Sequence, residues 1–329
     1  MADKTLTLVA AVLLGVHIIV SFMAIFLFRK QSQTYHEVSR IMWTLSFLVI
    51  LISLCVLIVV YVRSYDKTDE APDDTPLVNF HQQNKNLVFT SAGDKTNFVS
   101  HWLDRQFHRN FDIWVVYYGD SETDKYKENA DHWERRKGSK FQNFYHMWKK
   151  YKAHLKKYKK IFVLDDDIIF STIDINRCFE MSYLHELWLL QPTFKTNSKI
   201  SHEITKQKPN SVLRYSNFVE VNTPLFDVEI LHDIMEKYDP ALIEDGVDFL
   251  VSYVLTQRKD YHRKKIALLD TVSCVNPHDI YKGGAREVDR VGPSSKRMEI
   301  WKKFARKHKI YFGVKDIKTY DTDGKSELV

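Results

Sequence analysis

Three consecutive carboxylates, Asp165, Asp166 and Asp167, follow the apolar residues Ile161–Leu164 and precede Ile168, Ile169 and Phe170. Carboxylates crowded at a strand end repel one another, so folding them together is costly unless a cation or a basic group compensates. Asp165 and Asp167 are two apart and point to the same side of an extended chain. Hard oxygen donors of this kind suit Mn2+ or Mg2+, ions that keep open positions for substrate phosphates. An acidic turn that merely faces water is the competing reading. The apolar residues on both sides argue instead for a place at the edge of a sheet. A second acidic group, Glu244, Asp245 and Asp248, surrounds Gly246 in the run IEDGVD. The glycine permits a tight turn that brings these acids near a ligand. Asp248 also opens the apolar stretch Phe249–Leu255, where it would serve as an N-terminal helix cap.

The elements around these acids alternate. Asn86–Ser91 reads as a buried strand ending at Ala92–Gly93–Asp94, and a helical pattern follows at Phe98, Trp102, Leu103 and Phe107. Phe111–Tyr118 is rich in β-branched and aromatic residues and stops at Gly119–Asp120. From Phe141 to Lys159 large residues recur three and four apart, which predicts an amphipathic helix. Lysines mostly fill its other positions and read as a solvated face. Lys160–Leu164 is a further buried strand running into the acidic triplet. Strand, helix and strand in repetition imply a parallel sheet, with ligands at the carboxyl ends of its strands.

The chain has 329 residues, 13% of them aromatic, a formal net charge of +6 and a mean hydropathy of −0.33. The aromatic content and long apolar runs exclude disorder as the main state. Of three cysteines, Cys55 lies in an apolar run, so Cys178 and Cys274 allow at most one bridge in the globular part, and their spacing is not that of a zinc site. The modest charge, with aromatics that read as core, excludes nucleic acid as the partner. Two runs, about 5–28 and 41–62, are long and apolar enough to cross a bilayer. Arg29, Lys30 and Arg40 between them favour a cytosolic hairpin loop. The expectation is an integral membrane protein whose globular part is lumenal or exoplasmic, of Golgi or ER type. Acids and prolines make 63–85 a linker. This divides the chain into a transmembrane hairpin (1–62), the linker, a catalytic domain (86–313) and a C-terminal tail (314–329).

The segment from about Asn86 to Arg290 resembles a GT-A-type glycosyltransferase domain, in which an Asp-x-Asp motif after an apolar strand holds a divalent cation against the diphosphate of a nucleotide sugar. Asp165-x-Asp167 fits that motif. More narrowly, the chain is similar to a domain-of-unknown-function family of membrane-bound glycosyltransferase-like proteins. The matching phrases are Leu189–Phe194 (LLQPTF), Phe218–Phe226 (FVEVNTPLF), Ile243–Phe249 (IEDGVDF) and Leu268–His278 (LLDTVSCVNPH). The tryptophan–glycine pair usual before the later acid is replaced by Asp245–Gly246–Val247.

The resemblance implies a GT-A-like, Rossmann-like mixed α/β sheet flanked by helices, a nucleotide-sugar donor, a glycan or glycoconjugate acceptor, and Mn2+ or Mg2+ as cofactor. It implies Asp165, Asp167 and the later His278 as metal ligands. It also implies a carboxylate that deprotonates the acceptor hydroxyl, as in inverting enzymes, for which Asp248 and Asp245 are both candidates. Donor binding is expected at the first two strand ends, with Ser91, Gly93, Asp94 and Asp120 near the nucleotide. Lys140 and Asp166 are expected near the phosphates, and Lys282 and Arg286 in a cationic segment that steadies the leaving group. His202 is a further candidate for holding donor or acceptor. Two other readings use the same residues: a membrane-tethered scaffold without activity, and a haloacid-dehalogenase-like phosphatase. The latter also has Asp-x-Asp after an apolar strand but needs Thr or Val where Ile169 stands.

Overall fold

The computed structural model describes residues 82–320, apart from 105, 122–123, 279–287 and 289–291, together with scattered positions between Glu37 and Cys55. The chain divides into two units, Met1–Ala71 and Pro72–Val329. In the first, the described positions are helical, and Ile41, Trp43, Phe47 and Leu48 among them are exposed. Among the described residues no helix is long and apolar enough to cross a membrane. The expected span 5–28 lies wholly outside the described residues, and 41–62 largely so.

The second unit is built on a nine-stranded sheet in the order β3-β2-β1-β4-β7-β5-β8-β6-β9. The strands are β1 (Asn86–Ala92), β2 (Asp112–Tyr117), β3 (His132–Arg135), β4 (Lys160–Asp165), β5 (Leu189–Phe194), β6 (Leu213–Ser216), β7 (Leu225–Asp227), β8 (Ile266–Cys274) and β9 (Thr319–Tyr320). The first four strands pair in parallel. The sheet is nonetheless mixed rather than parallel throughout, because β7 inserts antiparallel between β4 and β5. β8 runs parallel to β5, and β6 closes antiparallel to both β8 and β9. Pro192 in β5 has no N–H for the ladder, and the β5–β8 register shifts there, between Pro192 and Thr193.

The central strands β1, β4 and β5 are buried at nearly every position and mostly apolar, because both faces are covered. Leu87, Phe89, Ile161 and Val163 enter one core, and the alternate residues Val88, Phe162 and Leu164 enter the other. The first core is closed by α1 (Lys140–Lys150), α2 (Lys152–Leu155), α4 (Val228–Met235), α5 (Val247–Thr256) and α6 (Ser294–His308); the second is closed by α3 (Thr172–Leu184).

Three local expectations are corrected. The helix expected after β1 is a single wide turn, Phe98–Trp102. Asn97 is committed to the acidic triplet on one side, and Asp104 donates its N–H to Thr172 Oγ1 on the other, so the turn has no room to extend. The aromatic helix is broken at Tyr151, whose backbone (φ −131°, ψ 35°) separates α1 from α2. Lys160, the first residue of β4, is buried, bonded to the Leu187 carbonyl and paired with Asp227 at 3.2 Å. The residues set aside as a tail from 314 supply β9, and Cys178 and Cys274 are both free thiols.

Candidate functional site

The acidic triplet forms a tight turn at the carboxyl end of β4, with the Ile168 N–H bonded to the Asp165 carbonyl. The loop after β1 holds its backbone. The Asp166 carbonyl accepts from the Asn97 N–H at 2.8 Å and from Thr96 Oγ1 at 2.6 Å, and the Asp167 carbonyl accepts from Asn97 Nδ2. The Ile168 carbonyl accepts from the Trp102 indole N–H. From β7's side, the Asn222 carbonyl accepts the Asp165 N–H at 2.9 Å. Carboxylates that would spread apart in water are therefore fixed by bonds their own charges do not make.

A small cavity of about 90 Å3 opens on this turn, lined by all three aspartates with Ser91, Tyr118 and Glu244. Gly93 donates its N–H to Asp166 Oδ2 at 2.8 Å. Ser91 Oγ is taken by Asn143 Nδ2 at 2.9 Å. The Tyr118 hydroxyl is held firmly protonated, by burial first and then by the negative charge of Asp166, Asp167, Glu244 and Asp165. It is thus a neutral hydrogen-bond donor among carboxylates. The Lys140 ammonium, nearly inaccessible to solvent, lies 2.7 Å from Asp165 Oδ1 and also donates to the Val221 and Asn222 carbonyls. It is the counter-charge that crowded acids require, and those bonds occupy the ammonium expected to meet a phosphate.

Lys140, Asp165 and Glu244 also line a second cavity of about 450 Å3, which reaches Glu220, Asp248 and Phe249. Its acids are set by the turn before α5. Glu244 has a left-handed backbone (φ 60°), and Gly246 (φ 85°) caps α5. Gly246 is required twice over: by its φ, and because a Cβ there would collide with the Trp301 ring of α6. Asp248 is therefore not the cap expected from sequence. It lies in the first turn of α5, and its Oδ1 accepts from the Phe249 N–H at 2.9 Å.

The structure separates the two candidate bases. Asp245 is paired with the buried Arg297 at 2.9 Å, and Arg297 also donates to the Val288 and Gly292 carbonyls. Asp248 lines the cavity with its carboxyl pushed up to about 6, chiefly by burial. Burial raises Glu220 and Glu244 to about 7, with Asp165's charge adding to both. Glu220 accepts from the His202 backbone N–H at 3.1 Å and from Thr205 Oγ1 at 2.9 Å. His202 Nε2 lies 4.0 Å from Asp248 Oδ2, and burial lowers the imidazole's pKa so that it is neutral at pH 7.

Other expected residues lie elsewhere. Asp94 is taken up by the Tyr117 hydroxyl and the Asp120 N–H, and its pKa falls mainly through the tyrosine bond. It braces the ends of β1 and β2. Asp120 is exposed, pairs with Lys137 at 2.7 Å and lines neither cavity. His278 is exposed and also lines neither. Lys282 and Arg286 lie outside the described residues. Sequence reasoning missed Tyr118, Glu220 and Arg297. A lone acid inside the apolar run FVEV was the available signal for Glu220; Arg297 lies in a charged helix and carries no signal of its partner.

Among the described residues no three His, Cys, Asp or Glu side chains converge closely enough to hold a metal ion as placed. The donor chemistry still fits a hard cation. Mg2+-like ions are commonly held by one or two carboxylates, with water and substrate phosphate completing the shell, and Asp165 and Asp167 are two carboxylates on one cavity.

No protein-family profile and no curated protein matches the chain. Among solved structures it is similar to residues 1–349 of S. aureus TarS, at 14% identity and a TM-score of 0.41 over 69% of this chain and 72% of that one. The same protein in complex with UDP-GlcNAc gives 12% identity and 0.39 over 69% and 73%. GalNAc-T7 with UDP, GalNAc and Mn2+ gives 11% and 0.40 over 67% and 49%. At these scores the overlap is partial, and the roles assigned to residues rest on the chain's own geometry.

Proposed function

We propose that the protein is a membrane-anchored, divalent-metal-dependent glycosyltransferase that moves a sugar from a nucleotide-sugar donor to an acceptor hydroxyl with inversion. The observation that carries this reading is the pair of adjoining cavities. One is built on Asp165–Asp167 at the carboxyl end of a central strand; the other holds Asp248, and Lys140, Asp165 and Glu244 are common to both. A diphosphate belongs in the first and an acceptor in the second, which puts the anomeric carbon between them.

Asp165 and Asp167 would hold Mn2+ or Mg2+, which when bound supplies positive charge against the diphosphate. The protonated Tyr118 hydroxyl lines the same cavity and would donate to a ligand oxygen there. Asp248, ionised above about pH 6, takes the proton of the acceptor hydroxyl as that oxygen bonds to the anomeric carbon. The bond from carbon to the diphosphate oxygen breaks, and its electron pair leaves with the nucleoside diphosphate. The two apolar runs before residue 63 supply the anchor, with the globular part on the lumenal side.

The test is release of nucleoside diphosphate from a panel of UDP- and GDP-sugars with Mn2+, by the full-length protein in detergent. Release that disappears in the Asp165→Asn/Asp167→Asn double variant is the expected result. Orthophosphate release from simple esters would instead mark a phosphatase, and no turnover or donor binding at all would leave a scaffold.

A further inference from the structure

The 450 Å3 cavity is within the range of ligand pockets, about 300–1,000 Å3, and its walls differ in kind. One is aromatic. Phe249 faces the space, backed by Phe218 and Trp301 with ring centroids 6.0 and 6.1 Å away. The opposite character lies at Asp248 and His202, polar groups 4.0 Å apart that both line the cavity. His202 is not loosely placed. Glu220, 3% exposed, accepts from the His202 backbone N–H and from the Thr205 hydroxyl, while the His202 ring packs 4.7 Å from Phe218. A neutral imidazole offers one N–H donor and one lone pair.

Two of the cationic side chains around this space are already paired with carboxylates. Lys140 is bound to Asp165, and Arg297 to Asp245. The cavity is lined by five carboxyl groups, Asp165, Glu220, Glu244, Asp245 and Asp248, against three cationic side chains, Lys140, Lys199 and Arg297. Burial first, and then the negative charges of Asp248 and Asp165, disfavour ionisation of Glu220. An anionic ligand would meet the same repulsion.

We propose that this cavity takes an uncharged sugar ring as acceptor, its apolar face on Phe249 and two neighbouring hydroxyls shared between Asp248 and His202. The ring's C–H face matches an aromatic wall. Two acceptor–donor groups 4.0 Å apart each come within hydrogen-bond reach of one of two adjacent hydroxyls. The hydroxyl on Asp248 is the one that loses its proton. This assignment of acceptor class rests on the transferase reading, but the cavity's ligand preference is measurable without turnover.

The experiment is saturation-transfer NMR on the full-length protein in uncharged detergent. The probes are methyl β-glucoside, galactoside and xyloside, compared with methyl β-glucuronide and glucose 6-phosphate. At least one neutral glycoside is expected to bind at least tenfold more tightly than either anion, with saturation strongest on ring C–H protons. Its affinity is expected to fall at least tenfold in Phe249→Leu and in His202→Gln. Equal or tighter binding of the glucuronide, no saturation of any neutral glycoside, or neutral binding unchanged in both variants would overturn the proposal. Selective neutral binding by a protein that releases no nucleoside diphosphate from any nucleotide sugar would overturn the transferase reading and leave this ligand class standing.

Discussion

Replacing Asp248 by Asn should move activity and stability in opposite directions. The carboxyl is 17% exposed and titrates at about 6 in the folded protein, against an ordinary 3.8. The folded state holds this proton more tightly than the unfolded chain, so ionising the group works against folding. The penalty is absent below pH 3.8 and complete above about pH 6. Each tenfold difference in proton affinity is worth about 1.4 kcal/mol, so at pH 7 the wild type carries ~3 kcal/mol that Asn does not. Asn keeps the oxygen that accepts the Phe249 N–H, so no bond to the helix is lost. For a domain of this size that corresponds to roughly 6–12 °C in Tm at pH 7, shrinking to nothing near pH 4. The same substitution removes the base, so transfer should fall by ~10²-fold or more. In the wild type kcat/KM should show an acid limb centred near pH 6, with about a tenth of the plateau left at pH 5. Differential scanning calorimetry from pH 4 to 7 and a pH–rate profile read the two effects. Normal transfer by Asp248→Asn, or an acid limb near pH 4, would refute the assignment of the base. An unchanged Tm at pH 7 would refute the argument from burial.

Asp245→Asn should instead lower stability, by ~2 kcal/mol at pH 7 in urea unfolding, because it leaves the buried Arg297 guanidinium without its carboxylate. Gly246→Ala should lose ~3 kcal/mol, combining a left-handed backbone with a Cβ driven into the Trp301 ring. Lys140→Met should unfold in less urea than wild type, by an amount equivalent to ~3 kcal/mol, because Asp165 and its neighbours lose their buried counter-charge. Asp165→Asn and Asp167→Asn should each weaken Mn2+ binding measured by electron paramagnetic resonance; Tm should hold or rise in Asp167→Asn as the acidic crowding is relieved, and fall in Asp165→Asn, which leaves the buried Lys140 ammonium without its carboxylate.

The strands nearest the acidic turn were legible because their apolar runs are long and end at clear breaks: β1, β2 and β4 lie within a residue or two of where alternation and turn residues put them. The acidic triplet's place at a strand end followed from the same pattern. What sequence did not reveal was pairing over distance. Nothing in FVEVNTPLF indicates that its last residues form a strand running against both neighbours, because β7 is only three residues long. Asp245 and Asp248 look alike in IEDGVD, and what separates them is an arginine 52 residues further on. Asp248 also read as a helix cap, because Asp is a good capping residue. Gly246, with its positive φ and the Trp301 ring against it, caps the helix instead, two residues earlier.

That dependence on late residues has a consequence for the order in which the protein can mature during synthesis. Strands β1, β2 and β4 and the acidic turn are all encoded before residue 170 and can associate as they emerge, since domains fold from the N-terminal side during translation. The turn at Glu244–Gly246 cannot take its final form until Arg297 and Trp301 have left the ribosome. The sheet edge is completed later still, when Thr319–Tyr320 pairs with β6 and the Asn217 side chain bonds to Asp316 and Lys318. The acidic turn is thus assembled well before the cavity beside it. A nascent chain stalled before Ser294 would carry that turn without the α6 brace that fixes Asp245 and backs Gly246. Loss of the last fifty residues would act on the candidate active site as directly as a substitution inside it.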